Sequence, residues 1–101
     1  MLYRERKFDI RIWVLISHDQ QVYIFKEGYV RTSSERYCLD DDQLDQVYVH
    51  LTNNAVQKYS KSYGMFEEAN ILSLQVLAEE LAPAAKKDPK KLKADIFKLC
   101  Q

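Results

Sequence analysis

Lys7-Phe8-Asp9-Ile10-Arg11-Ile12-Trp13-Val14-Leu15-Ile16 is the stretch from which the rest of the chain can be read. β-Branched and aromatic residues dominate it, which predicts a strand over 8–16. Side chains two apart on a strand share a face. Lys7, Asp9 and Arg11 therefore project together, while Phe8, Ile10 and Ile12 project the other way into apolar packing. One face belongs to a core and the other is a row of alternating charge. Trp13 shares its strand with Val14 and Leu15 and is assigned to the core.

Outward from this strand, Ser17-His18-Asp19-Gln20 reads as a turn. Val22, Tyr23, Ile24 and Phe25 mark a second strand over 21–26. Glu27-Gly28 reads as a tight turn into a third, short strand over 29–32, which completes an antiparallel meander. Residues 33–46 are polar and irregular, with a helical turn near 41–45. A short strand over 47–51 ends at Thr52-Asn53-Asn54, whose side chains hydrogen-bond their own backbone. Residues 55–64, rich in Tyr and Ser, read as a loop.

From Met65 the period changes. Phe66, Ala69, Ile71, Leu72, Leu74, Val76, Leu77 and Leu81 are spaced for a helix over about 65–82, ended by Pro83. Asp88-Pro89 starts a second helix over 89–100, with Asp88 as N-cap and Pro89 in the first position. Its buried side holds Leu92, Ile96, Phe97, Leu99 and Cys100. Strands within 7–52 followed by two helices predict an α+β fold rather than a doubly wound parallel sheet.

Composition narrows the class. The 101 residues suffice for one domain, and 47% apolar content allows a modest core. Two glycines and two prolines argue against disorder. The formal net charge is zero, so nothing in the whole chain draws it to nucleic acid or a membrane. The apolar run over 12–16 is far too short to span a bilayer. Charge is uneven: Asp40-Asp41-Asp42 and Asp45 make an acidic loop, and Lys86, Lys87, Lys90, Lys91, Lys93 and Lys98 make a basic C-terminus. Both read as solvated surface. Cys38 and Cys100 form no C-x-x-C pair, and Cys100 reads as buried and inert. His18 and His50 lack metal-ligand spacing. The strand begins almost at Met1, which suggests a piece of a longer protein.

The charged row suits a nucleotide: cations for phosphates, and a carboxylate to accept from hydroxyl or ammonium groups. Spacing alone does not distinguish it from a solvated sheet face. The wider pattern does. Arg6 to Leu15, Glu27-Gly28-Tyr29-Val30-Arg31-Thr32, His50-Leu51-Thr52-Asn53 and Gln57-Lys58-Tyr59-Ser60-Lys61-Ser62-Tyr63-Gly64 together resemble the central part of the tubulin–tyrosine ligase-like family. The likeness covers roughly 3–70. The Tyr-Ser-Lys-x-Tyr-Gly run followed by Glu67-Glu68 looks closer to the tyrosine ligase than to the glutamylases or glycylases.

The resemblance implies an ATP-grasp-like lobe, left incomplete. It implies a reaction that joins an amine to a carboxylate through an acyl phosphate, using ATP and Mg2+. The amino acid would be tyrosine, glutamate or glycine, and the acceptor the C-terminal tail of tubulin. Lys7 and Asp9 would border the nucleotide, Asp9 near the ribose or the incoming amino acid. Arg11 and Arg31, the catalytic pair, would face the γ-phosphate and the acceptor carboxylate; arginine clamps such groups bidentately where lysine does so poorly. Thr52 and Asn53 would contact the nucleotide, with His50 close by; a His ending a strand is otherwise a satisfied structural group. Asn54, Ala55 and Lys58 fall where relatives hold the amino-acid substrate. Tyr59 and Tyr63 read equally as substrate contacts or loop packing.

Three parts of such a site are missing. Upstream lysines over the phosphates and an adenine hinge have no counterpart. Glu68-Ala69-Asn70 has the form of a magnesium-binding Glu-x-Asn but starts a helical pattern, so no metal ligand is assigned here and Mg2+ ligands are expected outside the segment. The segment alone is expected to be inactive and to need the remaining part of the ligase chain. A cytoplasmic, cytoskeleton-associated protein follows from the same likeness. The alternative is a truncated, non-catalytic relative that grips tubulin or another partner through the basic C-terminal helix.

Overall fold

The computed structural model describes residues 1–99. Strand β1 (Arg6–Ile16) pairs antiparallel with β2 (Val22–Arg36), and β2 pairs antiparallel with β3 (Ile71–Ser73), so β2 is central. Two single-turn helices, α1 (Val47–His50) and α2 (Asn54–Gln57), lie between β2 and β3. Helices α3 (Leu74–Ala85) and α4 (Pro89–Leu99) follow. The fold is α+β, as the order of patterns predicts.

The β1 alternation holds where it borders the core. Phe8, Ile10 and Ile12 pack against a cluster of Tyr3, Val30, Leu72, Leu74, Leu77 and Leu81. Val30, Leu74 and Leu77 are completely buried; each such aliphatic side chain contributes about 1.5–3 kcal/mol through burial. In α3 the buried residues Leu74, Leu77, Ala78, Leu81 and Ala82 recur at one helical face. Ser73 caps that helix by accepting from Val76 N at 3.2 Å. Asp88 caps α4, its Oδ1 accepting from Lys90 N at 2.9 Å and Lys91 N at 3.3 Å. Leu92, Ile96 and Phe97 turn α4 toward the core.

Several expectations need correction. Glu27-Gly28 is no turn, because β2 runs unbroken through it. The register passes from Ile12 opposite Gly28 to Val14 opposite Ile24, so the residues between bulge and the strand continues. Gly28 is there for space: an added Cβ would lie 2.6 Å from Arg11 O and 2.8 Å from Ile12 Cδ1. Residues 47–51 form a helical turn, not a strand. Gln57 Nε2 donates to the carbonyls of Tyr48 (3.1 Å) and Leu51, groups a strand would need for a neighbour. Part of the 55–64 loop is likewise the helical turn α2.

The helix expected from Met65 begins only at Leu74. Ala69 (φ 52°) and Asn70 (φ 55°) are left-handed, which no α-helix tolerates, and Ile71–Ser73 adds a strand to β2. Pro83 stands inside the last turn of α3; the end comes at Lys86, itself left-handed. Trp13 is 62% exposed, not core, and Val14, Leu15, Ile16, Val22, Tyr23 and Phe25 are exposed with it. The hairpin tip extends past the helices that cover the rest of the sheet. Leu99 is also exposed, and Cys100 lies outside the described residues.

One buried ion pair joins the sheet to the segment before β3. Arg6 Nη1 and Nη2 donate to Glu67 Oε2 and Oε1 at 2.9 and 2.5 Å, with both side chains under 10% exposed. Nη1 also donates to Ser33 O, and Thr32 Oγ1 donates to Glu67 Oε2 at 2.9 Å. Beside it Asn70 Nδ2 donates to Thr32 O and Ser34 Oγ, and Gly64 N donates to Asn70 Oδ1. Removing one partner of a buried pair strands the other charge. Glu67→Gln is therefore expected to lose about 3 kcal/mol in urea unfolding. Gly28→Val should lose about 1–3 kcal/mol, because the new side chain meets backbone that cannot yield; an unchanged midpoint in either variant would contradict the assignment.

Candidate functional site

The open face of the sheet carries the charged row. Asp9 on β1 stands directly opposite Arg31 on β2, and Arg11 stands opposite Tyr29. Antiparallel partners and next-but-one neighbours are the two relations that bring side chains together on a sheet. Asp9 has both. Arg11 Nε lies 2.8 Å from Asp9 Oδ2, and Arg31 Nε lies 3.6 Å from Asp9 Oδ1. One carboxylate thus stands between two guanidinium groups.

The attachment is electrostatic rather than a closed set of hydrogen bonds. Asp9 Oδ1, Arg11 Nε and Arg31 Nε are shielded from water, yet none has an aligned hydrogen-bond partner. The 2.8 Å approach is close but poorly directed. Arg31 is 16% exposed at its side chain and Arg11 42%. Among the described residues the Nη atoms of both are without a protein acceptor. The buried open donors are the two Nε groups that face Asp9, held there by charge, and the Nη groups are the ones left to meet a ligand. Two cations around one anion leave a net positive site suited to a phosphate or carboxylate.

The other candidate residues form a second group. Lys7 Nζ donates to His50 O at 2.7 Å, so it ties β1 to the end of α1 instead of joining the arginines. The His50 ring sits edge-on to Tyr37, its centroid 5.8 Å away, with Nε2 3.3 Å from Gln43 O. Thr52 is buried and Asn53 exposed on the link to α2. Asn53 O accepts from Val56 N and Gln57 N, which fixes that link. Asn54 Oδ1 accepts from Tyr63 Oη at 2.6 Å. Lys58 lies over the Tyr59 ring, 5.0 Å from its centroid, with no contact to the arginines among the described residues. The structure brings Asp9, Arg11 and Arg31 together and links Lys7 with His50. It joins neither Asn54 nor Lys58 to them.

Trp13 belongs to this face. Strand alternation places it beside Arg11, and its ring lies 6.2 Å from that of Tyr29 at 42°. Gln57 is the residue that sequence reasoning passed over. It is completely buried; its Oε1 accepts from Ser34 N at 2.8 Å and its Nε2 holds α1. It fixes the α1–α2 link to the end of β2. A glutamine in a stretch read as loop carries no signal for this.

The donor set fits the phosphates of a nucleotide, since two arginines offer unfilled N–H groups at a part-buried site. It provides no magnesium site: among the described residues no group of three His, Cys, Asp or Glu could hold a metal ion. Asn70 of the Glu68-Ala69-Asn70 run is committed at both amide atoms, Nδ2 to Thr32 and Ser34 of β2 and Oδ1 to Gly64 N.

The sequence profile of the tubulin-tyrosine ligase family matches residues 1–100. A probable alpha-tubulin polyglutamylase of Tetrahymena thermophila is 40% identical over 60 residues, 57% of this chain and 14% of that protein. Tubulin glycylase 3B of the same organism is 32% identical over 90 residues, 87% of this chain and 8% of that protein. A human protein monoglycylase is 44% identical over 64 residues, 61% of this chain and 7% of that protein. The chain therefore spans a small part of the relatives it matches. With nearly its whole length inside the family profile, the chain belongs to the tubulin-tyrosine ligase family.

Proposed function

We propose that this chain supplies one wall of the nucleotide site of an ATP-dependent ligase that attaches an amino acid to a carboxylate of tubulin. The observation that carries this is the pair Arg11 and Arg31, both turned to Asp9 through Nε on the open face, with no protein acceptor on their Nη groups among the described residues. Family membership and relatives named for glutamate and glycine transfer support the reaction class. The transferred residue is one of tyrosine, glutamate and glycine.

ATP, with Mg2+ held elsewhere, would supply a phosphoryl group to activate the acceptor carboxylate. The chain's own residues do the positioning. Arg11 and Arg31 bind phosphate and carboxylate oxygens and oppose the negative charge that grows as they approach. Asp9 keeps the two guanidinium groups a fixed distance apart and has one oxygen to accept from a hydroxyl or an ammonium group. Lys7, Thr52 and Asn53, with His50, border the site at the α1–α2 end. Asn54 and Lys58 are the outermost candidates for the amino acid.

A working site of this kind sits in tubulin-associated protein. Among the described residues no helix is long and apolar enough to cross a membrane.

Arg31→Ala in the native protein should lower incorporation of labelled amino acid into tubulin about 100-fold or more, with circular dichroism unchanged. Asp9→Asn should weaken binding of a fluorescent ATP analogue by a smaller factor, because it loosens the arginines without removing them. Wild-type ligation by Arg31→Ala would overturn the reading.

A further inference from the structure

One buried side chain sets where the link between α1 and α2 lies. Thr52 and Asn53 stand on that link. Among the described residues the Thr52 hydroxyl and the Asn53 side-chain amide make no hydrogen bond with the protein. Their place is therefore set by the backbone that bears them. Gln57 holds that backbone twice: its Nε2 donates to Leu51 O, and its main-chain N donates to Asn53 O at 2.9 Å. The carbonyls on both sides of Thr52 thus accept from one residue.

The same side chain reaches further. Nε2 also donates to Tyr48 O at 3.1 Å, and Oε1 accepts from Ser34 N at 2.8 Å, on the strand that bears Arg31. The last carbonyls of a helix have no partner within it. In α1 side chains take them: Gln57 those of Tyr48 and Leu51, and Lys7 that of His50. Gln57 is completely buried, so water does not replace a bond lost there. The place asks for an acceptor and two donors at one point, which an amide supplies and a carboxylate or an aliphatic side chain does not.

We infer that Gln57 is a positioning residue of the nucleotide site: it sets Thr52 and Asn53 against the strand of Arg31 and touches no nucleotide itself. The inference rests on the proposed function, in which Thr52 and Asn53 border the nucleotide. Asp9, Arg11 and Arg31 are placed by the pairing of β1 with β2, so a change at Gln57 moves the link and leaves them in register. It weakens a contact made equally before and during phosphoryl transfer. The signature is a raised KM for ATP with kcat preserved.

The test is steady-state ligation by the native protein. Gln57→Met keeps the volume and removes the hydrogen bonds of the amide. It should raise the KM for ATP about tenfold and leave kcat within about twofold. T52V/N53A should raise the KM likewise, and adding Gln57→Met to it should raise it little further, because Gln57 acts through those two residues. A merely structural glutamine would instead lower the active fraction, and with it kcat, at an unchanged KM. In the wild-type protein, a bound ATP analogue should slow hydrogen exchange at Ser34 N–H, a measurement that needs no variant to fold. Four results would overturn the inference: an unchanged KM in Gln57→Met, a full additive effect on top of T52V/N53A, a wild-type KM in T52V/N53A itself, or unaltered exchange at Ser34. None of them touches the Arg31→Ala experiment, whose failure sinks the ligase reading on its own.

Discussion

The ion pair between Arg6 and Glu67 is the contact on which the rest of the arrangement depends. It is the place where three pieces of chain distant in sequence are held to one another: the start of β1, the far part of β2 through Ser33 O and Thr32 Oγ1, and the segment that enters β3. Two charges out of water are expensive, and only a bidentate geometry with further hydrogen bonds offsets that cost. Here the guanidinium also lies over the Phe66 ring, 4.3 Å from its centroid, and faces Tyr3 at 5.8 Å. The pair fixes where Ile71–Ser73 can join the sheet, and so where α3 begins and which of its faces meets Val30.

The chemistry follows from the resulting register. With Phe8 opposite Thr32, Asp9 falls opposite Arg31, and alternation puts Arg11 on the same face. A slip of one residue would turn Asp9 and Arg11 inward and Ile10 outward. The apolar packing that opposes such a slip thereby also sets the spacing of the two arginines. Core and site are opposite faces of the same strands. The poorly aligned Nε groups of Arg11 and Arg31 are the cost of that arrangement, offset by the charge of Asp9 between them.

The sequence displayed part of this plainly. β1 and the identity of its two faces were legible because charge and apolar residues alternate without interruption over 7–12. Both α4 and its cap were legible in Asp88-Pro89. Other parts depended on contacts no local pattern encodes. Glu27-Gly28 has the composition of a turn, yet Gly28 is required by the close approach of Arg11 O across the hairpin. Val47, Val49 and Leu51 alternate like a strand, but a glutamine six residues further on takes up the carbonyls. Glu67 and Asn70 looked like the start of a helix, and long-range partners pull them out of it. Trp13 has the burial preference of a core residue; it projects with Arg11 and Tyr29 onto the open face, away from the helices, and is exposed. Within the site, alternation alone joined Lys7 to Asp9 and Arg11, and only the structure shows Lys7 bonded to His50 O instead.

The central claim is that Arg11 and Arg31, spaced by Asp9, receive the phosphate end of a nucleotide. A crystal structure of the native protein with a non-hydrolysable ATP analogue tests it most directly. The account requires terminal-phosphate oxygens within hydrogen-bond reach of Nη atoms of both arginines, roughly 2.7–3.0 Å, with Asp9 still between them. A nucleotide bound elsewhere, with both guanidinium groups unchanged beside Asp9, would contradict it.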